Sequence, residues 1–126
     1  EMSIFLKTED EIELMREANL LVGKTLAEVG RHVKPGVTTL QLDKIAEEFI
    51  RDNGAIPTFK GYPSSYGPPF PGSICASVND VVVHGVPSFI NGCILGIHHF
   101  KVMVERGVYP LFFGDFSAKI HFIGAK

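Results

Sequence analysis

The chain has 126 residues, enough for one domain with a buried core, and 45% of them are hydrophobic against 21% charged, the balance of an ordinary globular protein. Twelve basic and fourteen acidic side chains leave a formal charge of −2, which gives no basic footprint for nucleic acid or for an anionic membrane. No apolar run is long enough to span a bilayer, and the first residues lack a basic segment followed by an apolar one, so the expected compartment is the cytoplasm. In that compartment Cys75 and Cys93, which form no CxxC pair or zinc spacing, are expected to stay reduced.

Ser3 to Leu6 reads as an edge strand or an N-terminal arm. Thr8 and Glu11 have the spacing of a capping box, with acids in the following turn that suit a helix N-terminus. Ile12, Met15, Asn19, Val22, Leu26 and Val29 then recur at three and four, and Leu14, Leu21 and Thr25 widen the stripe into an amphipathic helix. His32 falls in its last turn, a favoured place for partial positive charge, and Pro35-Gly36 stops it. Thr38 and Gln41 form a second capping box. Leu42, Ile45, Ala46, Phe49 and Ile50 make the second stripe, and Gly54 sits at the C′ position. Glu47, Glu48, Arg51 and Asp52 read as a solvated face. Two such helices on a short turn must cover something, and the sheet that follows is the candidate.

Ala55 to Tyr62 begins as a strand and then gives way to PSSYGPP, a loop dense in turn formers, with Tyr66 near its tip. Phe70 to Pro87, FPGSICASVNDVVVHGVP, follows. Two β-branched runs around Asn79-Asp80 predict strand, turn and strand, ending at Gly85 and Pro87. His84 stands at the lip of that second strand, either as a surface residue closing a hairpin or as a side chain facing a cleft. Further strands are expected around Ile94–Ile97, Val102–Val104 and Ile120–Ile123.

The segment FPGSICASVNDVVVHGVP, together with the upstream run from Ile4 through GAIPTFKGY, resembles type I methionine aminopeptidases, metal-dependent enzymes of the pita-bread fold. The likeness runs from Ile4 to Ser88 and fades afterwards. It implies an α+β single domain over residues 1–126, equivalent to the N-terminal half of a pita-bread fold, with a helical hairpin packed on a curved, mostly antiparallel sheet. The activity implied is removal of N-terminal methionine from nascent peptides, with little turnover expected from this chain alone. The alternative is a non-enzymatic peptide-binding or interaction module on the same fold.

The resemblance also assigns residues. His84 matches the histidine that hydrogen-bonds the scissile amide or the departing amine, a role suited to an imidazole that donates and accepts near neutral pH. Phe59, Tyr62, Phe70 and Cys75 would line a soft, polarisable slot for the methionine thioether, although each also fits core packing. The family's metal centre uses two aspartates, a histidine and two glutamates to bind divalent cobalt, manganese, iron or zinc. Gly114-Asp115-Phe116-Ser117 resembles one aspartate segment, which makes Asp115 a candidate ligand. Glu105 is the nearest counterpart of the other, with Val104 standing where the spacing would place a ligand. His98, His99 and His121 are other imidazoles of the tail, and neighbours such as His98 and His99 would point to opposite faces of a strand. The pseudo-two-fold architecture implied for the family further predicts that the apolar tail from Leu95 to Phe122 pairs with a second copy or with a second-half partner.

Overall fold

The computed structural model describes residue 4, residues 6–79, 81, 82 and 84–89, and the backbone of 100–103. Among them the order is α1 (Glu9–Arg31), α2 (Thr39–Asp52), β1 (Cys75–Val78) and β2 (Phe100–Met103). Both expected capping boxes are formed. The Thr8 hydroxyl accepts from the Glu11 N–H at 3.2 Å while the Glu11 carboxylate accepts from the Thr8 N–H at 2.8 Å. Thr38 and Gln41 repeat the exchange at 3.1 and 2.8 Å. These bonds satisfy donors that no helical carbonyl can reach.

The helix ends are also built locally. His32 caps α1, its Nδ1 lying 2.9 Å from the Glu28 carbonyl. At the end of α2 the Gly54 N–H donates to the Arg51 carbonyl at 2.9 Å and the Ala55 N–H to the Ile50 carbonyl at 3.1 Å. That pair of bonds is a Schellman motif, and it needs the left-handed conformation that Gly54 adopts at φ +76.

The core joins Leu26 and Val29 of α1 to Leu42, Ala46 and Ile50 of α2, and to Ile74 and Ala76 at β1. The helical hairpin therefore buries its shared stripe against β1. The α1 stripe is buried only toward its C-terminal end: Leu14 is 67% exposed, and the buried residues of the helix are Thr25, Leu26, Val29 and Gly30. Length explains this. Fourteen residues of α2 reach about 21 Å while twenty-three of α1 reach about 34 Å, so α2 leaves the first turns of α1 uncovered.

β1 and β2 are antiparallel, with Cys75 opposite Met103, Ala76 opposite Val102, Ser77 opposite Lys101 and Val78 opposite Phe100. In place of the expected hairpin, β2 is the strand that pairs with β1 among the described residues, and Val81 and Val82 lie in no strand. Asn79 takes φ +51, the Val81 N–H donates to the Val78 carbonyl at 3.2 Å, and the chain turns away with Val82 exposed. Gly85 is bonded to β1, its carbonyl accepting from the Ala76 N–H at 2.8 Å. Ala55–Tyr62 is likewise not a strand. Pro57 has no N–H for a ladder, and Gly61, at φ +79, supplies the left-handed position of a turn closed from the Tyr62 N–H to the Phe59 carbonyl at 3.0 Å. Ile4 and Leu6 are exposed and outside regular structure. The expected strands at Ile94–Ile97 and Ile120–Ile123 lie outside the described residues.

Candidate functional site

The turn at Gly61 sets up the first wall of the site. Past it the chain closes on itself: the Gly61 N–H donates to the Phe70 carbonyl at 2.8 Å and the Phe70 N–H to the Tyr62 carbonyl at 2.9 Å. These two bonds hold PSSYGPP as a loop with fixed ends and place Phe59 against Phe70, ring centroids 6.0 Å apart and planes tilted by 59°. Tilted aromatic pairs of this separation are favourable beyond their buried area. Both rings are half-buried. Tyr62 is 58% exposed, and Tyr66 at the loop tip is fully exposed.

A salt-bridged support stands behind that wall. Lys60, next to Phe59, contacts the Glu47 carboxylate at 2.6 Å, and Arg51 Nε reaches its other oxygen at 3.0 Å. The Lys60 hydrogen bond, more than any other contact, holds the Glu47 carboxyl below the usual glutamate range against the opposing effect of burial. The reading of Glu47 as merely solvated charge is corrected: it ties α2 to the Phe59 turn through Lys60, while Arg51 pairs with it within α2 and stays exposed. Among the described residues the buried Ser73 hydroxyl has no partner in full hydrogen-bond geometry, yet it lies near enough to Glu47 to help keep it ionised.

Downstream, β1 is anchored by a residue that periodicity alone passes over. Asp43 is buried, and its Oδ1 accepts from the N–H groups of Ser73 at 2.7 Å and Ile74 at 2.9 Å. Burial pushes its carboxyl above the usual range, and the two backbone donors pull it partly back. The signal was present in the spacing: Thr39, Asp43, Ala46 and Ile50 share one buried stripe of α2, so a carboxylate there needs buried donors. Cys75 follows in β1, 2% exposed.

His84 is exposed and takes φ +55. Beside its segment lies a cleft of about 440 Å³ lined by residues that include Thr39, Ala76, Val81, Gly85 and Ser88. Phe59, Tyr62, Phe70 and Cys75 do not line that cleft. Of the sequence-assigned residues, then, the structure packs Phe59 on Phe70, bonds Tyr62 to Phe70 through the backbone alone, sets Cys75 in the strand that follows, and places His84 in the segment bonded to that strand. Glu105 and Asp115 lie outside the described residues, as do His98, His99 and His121. Among the described residues no three His, Cys, Asp or Glu side chains gather as a metal site.

The helical hairpin packed on β1 superimposes on solved peptidase structures. The model of metallopeptidase family M24 matches residues 13–106, and the chain belongs to that family. Within it the similarity is to methionine aminopeptidases. The Clostridium acetobutylicum enzyme is 51% identical over 85 residues, 68% of this chain and 32% of its own. The crystal structure of methionine aminopeptidase from Rickettsia prowazekii superimposes with a TM-score of 0.62 at 41% identity, covering 68% of this chain and 33% of that one. The Thermotoga maritima enzyme gives the same TM-score at 34% identity, covering 72% and 34%. The chain thus spans about a third of the length of these relatives. The matched region contains Phe59, Tyr62, Phe70, Cys75, His84 and Glu105, and ends before Asp115.

Proposed function

We propose that this chain recognises the N-terminal methionine of nascent peptides in the cytoplasm, as the substrate-binding part of a methionyl aminopeptidase, a hydrolase. The family match through residues 59–84, coinciding with the closed Phe59–Phe70 wall, is the observation that carries the reading. In this account Phe59, Tyr62 and Phe70 pack on the methionine side chain, and Cys75 closes the slot from β1. Aromatic faces and sulfur give favourable dispersion with a thioether. His84 hydrogen-bonds the scissile amide, and its exposure leaves the imidazole open to a peptide.

A metallopeptidase draws its attacking water from a divalent ion. The described donors do not make such a site, so the contribution of residues 59–84 is binding and hydrogen bonding, and we assign Glu105 and Asp115 as the ligands this chain has to offer. Two carboxylates alone would bind cobalt or manganese weakly.

The test is to incubate the protein with a Met-Gly-Met peptide, with and without manganese or cobalt, measuring both peptide binding and released methionine. Metal-dependent release establishes the enzyme. Binding without release makes the chain a peptide-binding module that retains the slot. Absence of binding overturns the proposal in both forms.

A further inference from the structure

We propose that Ser77 is a positioning residue for His84, acting through Gly85; this rests on the reading of His84 as the residue that meets the scissile amide. A histidine at φ +55 is in the left-handed region, which non-glycine residues occupy only when the surroundings hold them there. What holds it is visible one residue on. The Gly85 carbonyl accepts from the Ala76 N–H at 2.8 Å, and the Gly85 N–H donates to the Ser77 hydroxyl at 3.0 Å. Two consecutive residues of β1 therefore grip Gly85 through both its N–H and its carbonyl.

The grip is so close that a Cβ at Gly85 would lie 2.1 Å from the Ala76 carbonyl oxygen and 2.9 Å from Ser77 Oγ. Ser77 is 2% exposed, so its hydroxyl is a desolvated acceptor facing a fixed donor, not a group exchanging with water. Further along, Pro87 packs against Gly72, and Ser88 is bonded to Thr39, so the segment cannot slide. A hydrogen bond that must form at one atom of a bound peptide needs its donor placed within a fraction of an ångström, and the Ser77–Gly85 bond is the device that fixes the backbone next to His84.

Nuclear magnetic resonance on the intact protein tests this. In the unaltered chain, the Gly85 amide should exchange with solvent slowly, and His84 should show the strong intraresidue amide-to-α-proton contact of a positive φ. A Gly85 amide exchanging at the open-chain rate would overturn the latch without any variant. Ser77→Ala should weaken the His84 contact and lose the His84 shift response to a Met-Gly-Met peptide, while the Phe59 and Phe70 responses persist. Ser77→Thr, which keeps the hydroxyl, should restore both. Unchanged His84 signals in Ser77→Ala would contradict the positioning role. A protected Gly85 with a His84 that ignores the peptide would instead overturn the assignment of His84 and leave the latch standing.

Discussion

The Thr39 hydroxyl and the Ser88 backbone exchange two hydrogen bonds across 49 residues of sequence, accepting from the Ser88 N–H at 2.9 Å and donating to its carbonyl at 3.2 Å. One side chain at the first turn of α2 thereby fixes the end of the segment that carries His84. Thr39 is 2% exposed, so removing its hydroxyl leaves the Ser88 N–H poorly solvated. Thr39→Val keeps the shape and should cost about 1–3 kcal/mol in urea unfolding, with unchanged helical circular dichroism.

Asp43 is the second tether, and its charge can be separated from its hydrogen bonds. Asp43→Ala strands two buried N–H groups and should destabilise by about 2–4 kcal/mol. Asp43→Asn keeps an acceptor at Oδ1 and should stay within about 1 kcal/mol of the parent. The pH dependence follows from the direction of the shift. Because the folded carboxyl sits above its usual 3.8, chiefly through burial, its contribution is fully present below 3.8 and is lost as pH rises through the folded value. Glu47 runs the opposite way: its stabilisation is present above 4.5 and is lost as pH falls through its depressed value, set first by Lys60. Melting curves should therefore show Asp43→Asn gaining on the parent as pH rises past 3.8, and Glu47→Gln showing less loss than the parent at the acid end.

Backbone proximity gives a third prediction. Gly85→Ala must displace the Ala76 carbonyl, and should cost about 3 kcal/mol or more, the upper end of ordinary overpacking. Gly67→Ala, in the PSSYGPP loop with nothing within 4 Å of its new methyl, should change stability by no more than about 0.5 kcal/mol. Equal costs in thermal unfolding would mean that the segment at Gly85 is not packed on β1.

What the sequence makes legible is what local chemistry decides. The two capping boxes and the Gly54 terminus need only residues three to five apart, and they form as read. The α1 stripe is legible in pattern but not in extent, because burial at Leu14 depends on how far α2 reaches. Strand pairing is the clearest failure. Asn79-Asp80 offers a plausible hairpin turn, but the ladder forms with Phe100–Met103, a long-range choice that no turn signal reports. In the site, the Phe59–Phe70 pairing follows from turn chemistry at Gly61 and the PSSYGPP loop, though only the family resemblance marked the rings. Periodicity puts Asp43 on the buried stripe of α2, but the partners of the Asp43, Glu47 and Ser77 tethers lie in distant segments that periodicity does not report.

The proposed methionine slot between Phe59, Phe70 and Cys75, with His84 at its edge, can be probed by its ligand. The most direct measurement is a titration with methionine labelled at its methyl carbon, followed by nuclear magnetic resonance contacts from that methyl to the protein. Contacts are expected to the Phe59 and Phe70 rings and to Cys75, weakened in Phe70→Ala and blocked in Cys75→Trp where the fold is retained. Methyl contacts confined to the exposed first turns of α1 around Ile12 and Leu14, or no contacts at millimolar methionine, would contradict the slot.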